Sequence, residues 1–168
     1  MTGFFFLIDN TDMPSKSLLH VGITNLPSIQ VAHKLCMFPA SPNKPFKKIN
    51  ETFQSLREWV VNFGLDPDSL LHIGIPFLDG KVLVTYSCCI EFPLPIIETS
   101  NGVDVKPLSG GTYAILRIEK KPNKISKAIR QFHGDYVPEN QIIVDENRQI
   151  YEIYYADTME YCVPIIGK

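Results

Sequence analysis

The stretch IYEIYYAD, residues 150–157, sets Glu152 among three tyrosines and two isoleucines. The alternation reads as a β-strand, in which residues two apart share a face. Glu152 then sides with Ile150 and Tyr154, whereas Tyr151, Ile153 and Tyr155 take the other face. If those three pack beneath helices, Glu152 and Tyr154 line the open face. An acid there has two readings: a solvated strand residue, or the floor of an aromatic pocket. In the second reading the carboxylate attracts a cation with a force that grows as water is excluded. Ring faces add ~0.5–2 kcal/mol per cation contact. Burial raises the pKa of such an acid, and a bound cation opposes the rise. Tyr113 on a neighbouring strand is a further candidate ring, with Trp59 and Phe77 from the first half of the chain. Glu91, in CCIEF, is a candidate second charge.

Other chemistries find less support. His20, His33, His72 and His133 show no ligand spacing, and Cys36, Cys88, Cys89 and Cys162 form no C-x-x-C pair. Neither a metal nor a cofactor is expected. The adjacent Cys88 and Cys89 should point to opposite faces of a strand and behave as buried structural thiols. No Gly-x-Ser-x-Gly is present. Ser109-Gly110-Gly111 fits a β-bulge better than a phosphate cradle, and EKKPNK, residues 119–124, reads as a solvated basic turn.

The 168 residues fit a single domain, long enough to bury a core without disulfides or metal. A net charge of -2 gives no basic field to grip phosphate backbones, so direct nucleic-acid binding is not expected. FFFLID near the start is too short for a signal peptide, and no stretch approaches the ~20 apolar residues of a membrane helix. The expectation is a cytoplasmic protein without membrane contact.

The elements that must position Glu152 come in a repeated order. The first 27 residues hold two apolar runs, FFFLI and LLHVGI, which read as extra strands or an arm. SIQVAHKLCMF, residues 28–38, is a strand. Phe46, Ile49, Phe53, Leu56, Val60 and Phe63 then recur at spacings of three and four, a helix burying one stripe. Asn43 is its candidate N-cap and Gly64 its stop. LLHIGIPF and KVLVTYSCCIEF, joined by LDG, form a hairpin. In the second half, GVDVKPLSGGTYAILRIE reads as one long strand bent or bulged at SGG. Asn123 is a candidate cap for a second helix over Ile125, Ala128, Ile129 and Phe132, with Gly134 a candidate end and Tyr136 and Val137 able to extend the packing. QIYEIYY and EYCVPII close the half as two strands. The sequence therefore predicts an α+β protein: a 1–26 extension, then duplicated β-α-β-β units at 27–98 and 99–168. They form a mainly antiparallel sheet with two helices on one face and a central groove between the halves.

Four motifs in this order, LPSIQVAHKLCMF, LLHIGIPF, LSGGTYAILRIE and IYEIYY…YCVPI, resemble the GyrI-like superfamily over about residues 26–166. That superfamily includes DNA gyrase inhibitor proteins and the effector-binding domains of multidrug-responsive transcription regulators. Its Gly-x-Tyr-Ala strand matches Gly111, Tyr113 and Ala114; its acid-aliphatic-Tyr strand matches Glu152, Ile153 and Tyr154; its closing strand matches Pro164 and Ile165. The resemblance implies that Glu152 lies in a central groove and faces cationic or polar aromatic ligands. The second helix departs from the family pattern in lacking its tryptophan. The expectation is a stand-alone small-molecule binder rather than an enzyme, with a homodimer or protein partner left open. Two alternatives stand beside it. One is a hydrolase of electrophilic or strained-ring natural products, using Glu152 with Tyr113 or Tyr154. The other is a gyrase-inhibitor-like protein-interaction module.

Overall fold

The computed structural model describes residues 18–38, 45–95 and 101–167. Eight antiparallel strands curl into a half-barrel: β1 (His20–Leu26), β2 (Ile29–Met37), β3 (His72–Asp79), β4 (Val82–Glu91), β5 (Asp104–Leu108), β6 (Gly111–Glu119), β7 (Tyr151–Tyr154) and β8 (Thr158–Pro164). Their order is β1-β6-β8-β7-β3-β4-β2-β5. Helix α1 (Pro45–Val61) packs on β2 and β4, and helix α2 (Pro122–Gln131) packs on β6. Both helices cover the same sheet face. The expected α+β architecture is the observed one.

Local sequence explains these elements. The α1 stripe buries Ile49, Phe53, Leu56 and Val60, as the three-and-four spacing requires. Gly64 follows in a left-handed conformation, closing the helix end as expected. Asn43 lies outside the described residues. Helix α2 departs from its expected start. Pro122 occupies the first turn and Lys121 the cap position, while Asn123 sits inside the helix and accepts from the Lys124 amide. Proline wins because its fixed φ suits the first helical position and its missing N–H has no partner to lose there. Nor does Gly134 end the helix. The chain passes through a π-turn, Phe132–Tyr136, into Val137–Glu139. Phe132 stays fully buried through that widening and stacks on Tyr136.

The expected long strand over residues 102–119 is two strands, not one bent or bulged strand. β5 pairs with β2, from Ile29↔Leu108 to His33↔Asp104. β6 leaves that neighbour and pairs with β1, from His20↔Arg117 to Leu26↔Gly111. Each half of the duplication therefore lends its leading strand to the other half. The two crossings touch. A Cβ on Gly110 would lie 2.2 Å from the Leu26 carbonyl oxygen and 2.6 Å from the Pro27 carbonyl carbon. The Ser28 hydroxyl donates to the Leu108 carbonyl at 2.9 Å. A bulge adds a residue within one pairing. Here the glycine instead lets one backbone pass against another.

The halves meet where β3 pairs with β7, through His72↔Tyr154, Ile73↔Ile153 and Gly74↔Glu152. A pseudo-twofold axis between Ile73 and Ile153 relates Glu152 to His72 and Tyr154 to Gly74. On the helix face lies the larger core, with Phe53, Tyr86, Phe132, Tyr154 and Tyr161. On the opposite face lies a smaller one, with Val31, Ile73, Cys89, Tyr113, Tyr151 and Ile153. Cys88 and Cys89 divide between the two as their adjacency demands.

Candidate functional site

Glu152 is wholly buried on the helix face, at the seam between the halves. The strand parity holds, but the faces are the reverse of the expected ones. Glu152 and Tyr154 lie beneath the helices, whereas Tyr151 and Ile153 face the opposite side. Tyr155 lies beyond the strand end, 38% exposed, with its hydroxyl on Glu160. Periodicity fixes which residues share a face and says nothing about which face the helices cover.

Three oxygens form a closed triangle here. The Tyr86 hydroxyl lies 2.7 Å from Glu152 Oε1, the Tyr154 hydroxyl lies 3.1 Å from the same oxygen, and the two hydroxyls are 2.5 Å apart. Both hydroxyls are placed to donate to Oε1, which favours the ionised carboxyl. Burial outweighs them and pushes the Glu152 pKa up to about 7. It also drives Tyr86 and Tyr154 well above the usual phenol range. Glu152 Oε2 has no hydrogen-bond partner among the described residues. A buried acceptor left open in this way is costly unless something arrives to fill it.

Gly74 makes the triangle possible. It faces Glu152 across the seam. A Cβ there would lie 1.8 Å from the Tyr86 hydroxyl. The missing side chain is the slot through which Tyr86 reaches the acid. Aromatic rings complete the surround from both helices. Phe53 of α1 meets Tyr154 edge-on with centroids 6.2 Å apart. Phe132, at the end of α2, meets Tyr161 at 6.4 Å. Tyr161 pairs directly with Glu152 across β7 and β8, and its hydroxyl lies 2.9 Å from His133 Nε2.

A cleft of about 600 Å³ opens beside this cluster. Arg57, Asp68 and His72 line it from the first half, and Lys120, Tyr154 and Tyr155 from the second. Tyr154 is common to the cleft and the triangle. His72 Nε2 lies 2.9 Å from an Arg57 guanidinium nitrogen, and its Nδ1 lies 3.0 Å from the Leu70 carbonyl. Nε2 must accept from the guanidinium, so Nδ1 carries the proton and the ring is neutral. Burial holds the His72 pKa low, and the Arg57 charge adds to this.

Of the six expected site residues, the structure brings together Glu152 and Tyr154. Tyr113 is on the face opposite the helices, stacked on Tyr151 with centroids 5.4 Å apart and Arg148 over its ring. It cannot share a substrate with Glu152. Glu91 and Phe77 follow the strand parity of Cys89 and of Ile73 and Ile75, which places them on the face opposite the helices. Phe77 is 60% exposed. Trp59 is on the helix face but packs in the core against Phe63 and Phe92, at 4.5 and 5.4 Å. Sequence reasoning missed Tyr86, Gly74 and Tyr161. Tyr86 stands 66 residues from Glu152, and no local pattern marks it. The duplication held a weaker signal, since it sets β4 and β8 in equivalent places beside the seam.

Fold and seam together define a domain with an acid buried between two related halves. The sequence profile of the GyrI-like small molecule binding domain matches residues 21–166, and the chain belongs to that family. Three solved structures share the fold at low identity. EcmrR in its complex with DNA is 11% identical with a TM-score of 0.70, the match covering 90% of this chain and 59% of EcmrR. The chain thus spans rather more than half of that protein. SAV2435, solved bound to tetraphenylphosphonium, is 15% identical with a TM-score of 0.56, covering 88% of this chain and 94% of that one. A hydrolase from Listeria innocua is 9% identical with a TM-score of 0.59, covering 87% and 91% respectively. No curated protein matches the sequence. Among the described residues no helix is long and apolar enough to cross a membrane.

Proposed function

We propose that this small-molecule binding domain takes amphipathic aromatic cations in the seam groove, with Glu152 as their counter-charge. The observation that carries the reading is the wholly buried carboxyl whose Oε2 has no partner, ringed by Tyr86, Tyr154 and Tyr161. Below pH 7 and without ligand, the carboxyl keeps its proton. An arriving cation lowers the carboxyl pKa and expels that proton, converting a neutral floor into a charged one. Ring faces supply the rest of the attraction with few directional demands, so many cations of similar size fit. The tetraphenylphosphonium held by SAV2435 on the same fold agrees with this class.

Titration calorimetry with tetraphenylphosphonium and with neutral triphenylphosphine oxide tests it. Ionised Glu152 predominates above pH 7, so the cation should bind about tenfold more tightly at pH 8 than at pH 6, releasing a proton at the lower pH. The oxide should show no such dependence, and Glu152→Gln should abolish it for the cation. Equal affinity for cation and oxide, unchanged in Glu152→Gln, would move the assignment towards a protein partner.

A further inference from the structure

Glu152 is buried beside Tyr154, which lines the cleft, and the cleft itself carries basic side chains. Arg57 is matched by Asp68, whose carboxylate oxygen lies 2.5 Å from the guanidinium, and the Arg57–His72 contact leaves His72 neutral. Lys120 is different. Its neighbours Lys121 and Lys124 both pair with Glu119, at 3.2 and 2.9 Å. Lys120 instead donates to the Tyr155 carbonyl and makes no ion pair among the described residues. It lines the cleft, close enough for its charge to act on His72. EKKPNK is therefore not uniformly a solvated turn, because its first lysine faces the groove. A ligand carrying only positive charge would pass an unmatched ammonium on its way to Glu152. A ligand with an added anionic group would meet attraction at both ends.

We propose that the groove selects zwitterionic amphiphiles, with an aromatic cation against Glu152 and Tyr154 and a carboxylate or similar anion on Lys120 at the mouth. This rests on the cation-binding reading of Glu152. An ammonium keeps two free donors after bonding one carbonyl, enough for a monodentate carboxylate.

Two dyes that differ in one group separate the possibilities. At pH 8 tetramethylrhodamine free acid is a zwitterion, and its methyl ester is a cation. Fluorescence anisotropy should show the acid binding about three- to fivefold more tightly than the ester, the worth of a partly exposed ion pair. Lys120→Gln should bring the ratio to about one with the ester's affinity unreduced, and Lys121→Gln should leave the ratio intact. An ester that binds wild type as well as the acid does, or a ratio that survives Lys120→Gln, overturns the proposal. Ester binding that is unchanged in Glu152→Gln overturns the cation reading, and the zwitterion with it, even where Lys120 still selects the acid. Binding of neither dye overturns both.

Discussion

Glu152 should set a distinctive pH dependence of stability. Its folded-state pKa of about 7 lies above the ordinary value of 4.5. Between those values the folded protein holds a proton that the unfolded chain has lost. The contribution of this group is therefore fully present below 4.5, falls as pH rises to about 7, and is constant beyond. The whole loss is about 3 kcal/mol. Glu152→Gln cannot ionise, so the wild-type-minus-variant difference in urea-unfolding free energy should shift by about that amount between pH 4.5 and 8, with the variant favoured at the alkaline end. A flat difference would mean that Glu152 titrates as an ordinary acid. Gly74→Ala probes the same cluster sterically. Its Cβ would meet the Tyr86 hydroxyl at 1.8 Å and ring carbons at 2.4 and 2.8 Å. The expected cost is about 1–3 kcal/mol or more, read as a lowered urea midpoint. Tyr86→Phe should restore only part of it, because the ring carbons remain.

At the scale of elements, the π-turn after α2 makes a prediction of opposite sign. Gly134 lies within helical backbone, its φ is not positive, and a Cβ there would meet nothing within 4 Å. Gly134→Ala should therefore stabilise the protein by about 0.5–1 kcal/mol, since alanine has less backbone entropy to lose. A thermal melt that rises by a few degrees agrees; an unchanged or lowered melt would show that the turn needs glycine for its shape. The expectation that Gly134 ends the helix failed because glycine stops a helix by adopting positive φ, and here it does not. Elements that depend on short-range pattern were legible: the α1 stripe, the Asp-Gly hairpin and the shared face of Glu152 and Tyr154. Those that depend on where another segment lies were not. Ser109-Gly110-Gly111 reads alike as a bulge or a crossing until the Leu26–Pro27 backbone is seen beside it. In the same way, Tyr113 and Tyr154 are both strand tyrosines until the two sheet faces are assigned.

At the scale of the molecule, the exchange of leading strands binds the two halves more firmly than the short β3–β7 pairing at the seam. β7 has four residues, and three of them pair with β3. β1 places seven residues against β6, and β5 places five against β2. The groove can therefore have a thin floor without the halves parting, because its walls are tied at both outer edges of the sheet. Removing one tie tests this. A chain shortened to residues 27–168 lacks β1 and uncovers the edge of β6, a nine-residue strand with only two charged side chains, Arg117 and Glu119. Edges of that kind pair with other chains. Compared with a chain starting at residue 18, which keeps β1, the shorter one should sediment with more concentration-dependent association and unfold at lower urea. Its binding of tetraphenylphosphonium should weaken as well, because freeing β6 loosens β8 and with it Tyr161 beside Glu152. Identical sedimentation and unfolding of the two chains would show that β1 is an appendage, and that the seam alone holds the halves in register.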